Sequence, residues 1–525
     1  MEYRISASAV VIFFAVLTIT CTDSPPGNRP IAGFEALSGP YLGQEPPGTV
    51  PQLFMPGLIT THWSDTYIAF LNEARVCVYS TITDEGQRTY YTYEKNGRWT
   101  PPQRAPFEEL QGHPNYTGGP KGRKIYFHSG RPTHAGDTRQ DDNTWAIEWT
   151  GDGWAEPYPL PAPANSDYGE AYPSVTDDGT VYFFSWRRSD TRANDVYFSR
   201  CIEGDYQETE RLPWPINTDY LELDPYVAPD ESFLIFVSLR PGGYGSGDNY
   251  ICFRREDGSW THPINLGDKM NSPSGDGCPS GTPDGKYLFF TSGRKTEIAK
   301  GKKSESPDIG DSKDRDFYWV DASVIDDLRE VMLTRRSAAE AIQSEYRANG
   351  IEAAADKLSA IYPAEEDSYY FSLYELLTIC EEMMAAGKAD EAEQFYRALL
   401  NTLPHGPRIK HGYAIACVMS GLAPRGLELM KDSASEDSLF SLEDTLAETG
   451  YLLSLYPEKT DEALAVLEFT VQEFPDSSFA YYSLARIYRD RGDIEQAIEH
   501  CRKAVELRPN MGYAVELLER LEQQR

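Results

Sequence analysis

One segment recurs along the first part of the chain, and no other feature constrains the fold as tightly. Ala171–Ser185 reads AYPSVTDDGTVYFFS, Asp224–Ser238 reads DPYVAPDESFLIFVS and Cys278–Ser292 reads CPSGTPDGKYLFFTS. A weaker copy, GGPKGRKIYFHS, covers Gly118–Ser129, and a degenerate one runs from about Ser64 to Ser80. The spacing of roughly 53 residues is that of propeller blades with expanded loops. Each copy reads as strand, tight turn, strand. Asp and Gly supply the turn geometry, and the run after it, such as Tyr287-Leu-Phe-Phe-Thr, suits a strand buried on both faces. A third strand follows in Asn194-Asp-Val-Tyr-Phe, Asp248-Asn-Tyr-Ile and Asp316-Phe-Tyr-Trp. A fourth follows the turns Gly151-Asp-Gly-Trp and Asp257-Gly-Ser-Trp.

The last copy stops after its third strand, at Tyr318-Trp-Val-Asp-Ala, while Val50–Ile59 precedes the first copy as an orphan fourth strand. An N-terminal strand that completes the last blade closes the ring and removes an open sheet edge. That count gives five blades, with six as the alternative. These residues resemble the WD40-like, TolB-like propeller family, whose repeat carries Pro-x-x-x-Pro-Asp-Gly, an aromatic strand, Ser-x-Arg and Asp-x-Tyr. Arg240-Pro-Gly-Gly-Tyr-Gly with Asp248, and Trp260-Thr-His-Pro-Ile-Asn-Leu-Gly, carry the resemblance most closely; blades one and two lack Pro-Asp-Gly. The resemblance implies an all-β propeller over residues 44–336.

From Ser337 the composition turns to Ala, Glu, Leu and Lys with helical periodicity. In Ser478–Pro509 the small residues Ala485, Ala497 and Ala504 fall where two antiparallel helices must approach closely. Gly492 falls at their turn, Tyr481, Leu484 and Tyr488 supply bulk, and Pro509 ends the unit. This resembles a tetratricopeptide (TPR) repeat. Ser372–Pro404 is a second copy with Gly387, Ala392 and Tyr396; a third, with Ala463 and Leu467, ends at Pro475. A degenerate copy with Gly421 runs from Pro407 to about Ser435. Residues 337–525 are therefore expected to form an all-α TPR superhelix, stacked so that each unit buries its neighbour's face.

The N-terminus reads as an address. Arg4 precedes an apolar run, Ala9–Ile19, of signal-peptide length and too short to span a bilayer. Leu17-Thr-Ile-Thr-Cys21 resembles a bacterial lipobox, with the leucine four residues before the cysteine where three is usual. The expectation is a signal peptide over 1–20, a lipidated Cys21 and a flexible tether to residue 43, the alternative being plain secretion. The formal net charge of −33 disfavours nucleic acid and anionic lipid surfaces as partners. The eight cysteines form no Cys-x-x-Cys pair, and the seven after Cys21 read as small buried apolar residues. The segment Lys295–Asp314 reads as a mobile charged loop in the last blade.

No Gly-x-Ser-x-Gly, His-Glu-x-x-His, Walker loop or dinucleotide fingerprint is present, so the sequence supplies no catalytic motif. The acidic run Asp308, Asp311, Asp314 and Asp316 lacks the glycine and terminal glutamate of a calcium loop, and no cofactor or metal is expected. Three residues before the strand-one prolines stand Glu170, Glu222 and Asp276, with Asp65 and His113 near the same position in the first two blades. Equivalent positions at the starts of innermost strands share one rim, so these five are candidate propeller-rim binding residues; capping a turn or pairing with an arginine is the structural alternative. The recurring Arg187 with Asp195, Arg240 with Asp248 and Arg294 with Asp316 read as internal salt bridges. Tyr482, Arg486 and Arg489, at helical spacing on a first TPR helix, are candidates for a peptide-binding groove. The reading is a non-catalytic, envelope-anchored scaffold on the periplasmic or surface side that binds other envelope proteins or peptides. The alternatives are a polysaccharide lyase or glycoside hydrolase using rim carboxylates, and a small-ligand or metal sensor.

Overall fold

A computed structural model describes residues 34–524 apart from 84–85, 108–115, 135–141, 186, 188–193, 246, 295–314, 366, 405, 437–441 and 510. Cys21, His113, the acidic run up to Asp314 and the 295–314 segment lie outside the described residues.

The first part of the chain is a five-bladed propeller of antiparallel sheets. The innermost strands of blades one to five are Ser64–Leu71, Tyr116–Gly118, Ala171–Val175, Glu222–Val227 and Asp276–Gly281. The second strands are the apolar runs expected from the repeat; Val181–Ser185 and Leu234–Ser238 are buried along their whole length. Blade five takes its outer strand from the N-terminus: Gln52 and Leu53 pair with Trp319 and Tyr318. Behind this closing strand Phe34, Tyr41, Leu42 and Phe54 sink into a core with Phe70, Phe289 and Trp319. The expected tether to residue 43 is therefore structured from Phe34 onward. Its aromatic and leucine side chains cover a blade face that would otherwise stay wet.

In blades one, three, four and five the innermost strand carries a β-bulge one or two residues after its start. Tyr172, Asp224 and Cys278 occupy that place in blades three to five, each with a positive φ, of 51°, 49° and 50°. A bulge re-aims a side chain, and here these residues meet other blades: Cys278 N–H of blade five donates to Asp224 of blade four at 3.3 Å. The Tyr172 hydroxyl donates to Pro279 O of blade five at 2.9 Å. Its ring lies 5.4 Å from that of Tyr67 in blade one. A tyrosine thus crosses the centre of the propeller. Of the cysteines after Cys21, all but Cys201 are buried.

The C-terminal part pairs antiparallel helices: Ala338–Asn349 with Ile351–Ile361, Leu373–Ala385 with Ala389–Thr402, Gly406–Met419 with Ala423–Glu436, Leu442–Ser454 with Thr460–Glu473, and Ser478–Asp490 with Ile494–Leu507. A last helix, Gly512–Gln524, packs on the final pair. Gly421 and Gly492 sit at the turns with φ of 82° and 81°, a conformation side chains resist. The unit read as degenerate, from Pro407, is a complete helix pair. Among the described residues no helix is long and apolar enough to cross a membrane.

One hydrophobic cluster runs through both parts: Tyr220, Leu221, Val237 and Leu239 of blade four pack with Tyr374, Leu376, Leu377 and Tyr413 of the helices.

Candidate functional site

The rim carboxylates of blades three to five are each built into their blade by a repeated clasp. In blade four, Asn217 Oδ1 accepts from Val196 N at 2.7 Å, and its amide donates to Val196 O and Leu212 O, both at 2.8 Å. The next residue, Thr218, gives Glu222 its backbone N–H and its hydroxyl, at 2.9 and 2.7 Å. Asn165 and Ser166 do the same for blade three around Glu170. In blade five Asn271 bonds Asn249 N and O and donates to Asn265 Oδ1, and Ser272 gives Asp276 its N–H and hydroxyl. The sequence signal is Asn-Ser/Thr-x-x-x-Glu/Asp, which lies just before the recurring segment and so outside the part of the repeat that its proline, turn and aromatic strand mark.

The arginine of each Ser-x-Arg completes the clasp. Arg187 pairs with Glu170, Arg240 with Glu222 at 3.2 Å and Arg294 with Asp276 at 3.8 Å. The pairs expected from sequence, Arg187–Asp195, Arg240–Asp248 and Arg294–Asp316, are corrected. Strand two lies between strands one and three, so Ser238 stands opposite Glu222 on one side and Asp248 on the other. Arg240 turns toward Glu222. Asp248 is held instead by Tyr244 N and Asn265, and Asp195 by a fork from Arg211 at 2.7 and 2.8 Å. Each arginine also lies over two rings of its own blade, Arg240 at 5.3 Å from Phe236 and 4.9 Å from Tyr250. Such stacking adds about 2 kcal/mol when desolvated.

Glu170, Glu222, Asp276 and Asp65 are all 0% exposed. Burial pushes the Glu170 and Glu222 carboxyls up to about 7 and Asp276 up to about 6, against the pull of hydrogen bonds and arginines. Asp65 binds the backbone of the closing blade, accepting from Phe317 N at 3.3 Å. Glu170, Glu222 and Asp276 are thus brought to equivalent places, with their oxygens engaged in the clasps, while Asp65 is engaged by the closing blade. Among the described residues no cluster of three or more His, Cys, Asp or Glu side chains could hold a metal ion.

What the rim exposes differs between blades. Over blade four lies the helix Leu373–Ala385: the Tyr374 ring sits 4.8 Å from the Arg240 guanidinium, and the Tyr220 hydroxyl donates to Glu381 at 2.8 Å. The Arg408 guanidinium donates to Gly242 O and Gly243 O, and its carbon lies 3.8 Å from the Tyr244 ring centroid. His262 meets Glu375 at 3.2 Å. Over blade three no such helix lies among the described residues. A cavity of about 730 Å³ opens there, lined by Pro161, Asn165, Ser166, Tyr168 and Arg187 among others.

In the helical array Tyr482 and Arg486 fill a seam between first helices. Arg486 lies over Tyr451 at 4.8 Å and Tyr482 at 5.8 Å, and the Tyr482 ring meets Tyr513 at 4.4 Å. Arg489 lies one turn on and pairs with Asp490 at 2.8 Å. The seam joins three successive units.

Residues 478–511 match the tetratricopeptide repeat family model. No curated protein matches the chain. Among solved structures, TolB from Acinetobacter baumannii is 14% identical, with 50% of this chain and 57% of that chain covered and a TM-score of 0.29. A protein of unknown function from Dyadobacter fermentans is 12% identical over 48% of this chain and 84% of its own, TM-score 0.32. MamA of strain AMB-1 is 19% identical over 29% of this chain and 81% of its own, TM-score 0.19. The fold stands on the strand and helix order of the chain itself.

Proposed function

We propose that this chain is a non-catalytic scaffold of the cell envelope, held by lipid at Cys21, that binds other envelope proteins through the propeller rim and the TPR groove. The observation that supports this reading best is the junction at blade four. There the helices and the propeller share one buried core, so the two repeat surfaces are presented by a single body. Stacked helix repeats and propeller rims are surfaces that commonly take protein partners. The buried carboxylates serve their clasps, which speaks for architecture over turnover at that position. The groove contacts assigned to a partner are Tyr482, Arg486 and Arg489.

The test uses the full chain, because separating propeller from helices would expose the shared core. Detergent-solubilised envelopes of the source cell are passed over the immobilised chain and over its Tyr482→Ala and Arg489→Glu variants. A stoichiometric protein kept by the parent and lost from the variants supports the scaffold. Retention of no protein, with turnover of an envelope polysaccharide abolished by Glu170→Gln, sinks it in favour of an enzyme.

A further inference from the structure

Leu160–Glu170 reads LPAPANSDYGE and Leu212–Glu222 reads LPWPINTDYLE. The two segments make the same clasp in adjacent blades, so Tyr168 corresponds to Tyr220, Asp167 to Asp219 and Arg187 to Arg240. In blade four this constellation is a docking site with its ligand in place. The ligand is the helix Leu373–Ala385, whose Tyr374 covers Arg240 and whose Glu381, two turns on, accepts from the Tyr220 hydroxyl. Tyr220 is 2% exposed as a result. In blade three the same arginine and tyrosine line the 730 Å³ cavity, and Tyr168 is 53% exposed. Ala162 stands there in place of Trp214.

Blade five does not repeat the offer. Its clasp carries Ser274 where the others have tyrosine, and Arg294 lies over its own Tyr318 at 4.8 Å. The Arg187 guanidinium carbon lies 5.8 Å from the Tyr168 ring, which among the described residues is the only ring near it from outside strands two and three. The guanidinium face that Tyr374 occupies in blade four is therefore lined in blade three, among the described residues, by one half-exposed tyrosine.

We propose that the blade-three cavity docks a helix of a partner protein, carrying an aromatic residue in its first turn and a carboxylate seven residues later, in the way blade four holds Leu373–Ala385. The aromatic ring stacks on Arg187 and against Tyr168, and the carboxylate accepts from the Tyr168 hydroxyl. The spacing follows from the seated copy: residues seven apart lie on one face two turns from each other. The proposal deepens the scaffold reading and rests on it.

The probe is a fluorescein-labelled, helix-stapled peptide of residues 371–386 with Cys380 replaced by Ser. It is titrated into the full chain, whose blade-four site is already filled. Saturable binding is expected, weakened at least tenfold by Tyr168→Ala or Arg187→Met in the protein and by Tyr374→Ala or Glu381→Gln in the peptide. Tyr168→Ala, on an exposed side chain, guards against loss through misfolding. Trp214→Ala, at the neighbouring rim, should leave binding unchanged. No binding, or binding indifferent to Tyr168 and Arg187, overturns the proposal while leaving groove-dependent capture of an envelope protein, and so the scaffold reading, intact. Self-association of the chain that Arg187→Met abolishes also overturns it, by making the occupant a second copy.

Discussion

Replacing Asn217 tests whether the repeated clasp stabilises the propeller through hydrogen bonds or through shape. Asn217 is 1% exposed and makes three bonds to main-chain groups. In Asn217→Ala the Val196 N–H and the Leu212 carbonyl lose their partners, while Val196 O keeps its bond from Leu212 N at 3.0 Å. Two stranded buried groups at roughly 1–3 kcal/mol each give a loss of about 3 kcal/mol. All nine tryptophans precede residue 337, so tryptophan fluorescence during urea unfolding reports the propeller alone. With a urea slope of about 3 kcal/mol/M, the midpoint falls by about 1 M. Asn165→Ala, which strands the matching groups in blade three, falls by a similar amount. Asn217→Asp separates the two accounts. It keeps the shape and one acceptor, but at pH 8 it sets a carboxylate oxygen against two carbonyls and is as unstable as the alanine variant. At pH 5 the protonated acid can donate to Leu212 O, and part of the loss returns. A midpoint within about 0.2 M of the parent for Asn217→Ala, or an aspartate variant as stable as the parent at pH 8, refutes the reasoning.

Other outcomes follow from the same geometry. Glu170 and Glu222, raised to about 7, Asp276, raised to about 6, and Glu381, raised to about 7 by burial, bind protons more tightly folded than unfolded. Stability therefore falls as pH rises from about 4.5 to about 7, with His411, lowered to about 4 by burial, opposing it more weakly; urea midpoints at pH 5 and 7.5 check the sign. Tyr374→Ala removes the ring over Arg240 and costs about 3 kcal/mol at the junction, read as faster hydrogen exchange in residues 215–242. At Tyr172, whose φ is 51°, Tyr172→Gly unfolds at higher urea than Tyr172→Ala by about 1 kcal/mol, the reverse of the usual order.

Much of the fold was legible because each blade repeats a turn and a doubly buried aromatic strand, and because the last copy lacked a strand that the N-terminus could supply. The helix pairs were legible where a glycine marks the turn, even in the unit beginning at Pro407. The salt bridges were misassigned because Arg240 flanks a strand with carboxylates on both sides. Nothing local says that Asp248 is claimed by Asn265 and the Tyr244 amide. The clasp asparagines were legible in principle at a fixed spacing. The cover over blade four was not, since Arg240 and Tyr374 meet only when both repeats are folded.

The N-terminal segment carries one more consequence. The strand that closes the ring holds by two residues, Gln52 and Leu53, whereas Phe34, Tyr41 and Leu42 lie before it in the chain and are gripped in an aromatic pocket. The Trp99 indole N–H donates to Gly39 O at 2.8 Å and the Tyr41 hydroxyl to Asp284 at 3.1 Å. A pull arriving along the chain from its N-terminal side therefore meets this plug first. The tension is spread into blades one and five before it can peel the short closing strand, and the ring resists unzipping from its N-terminal side.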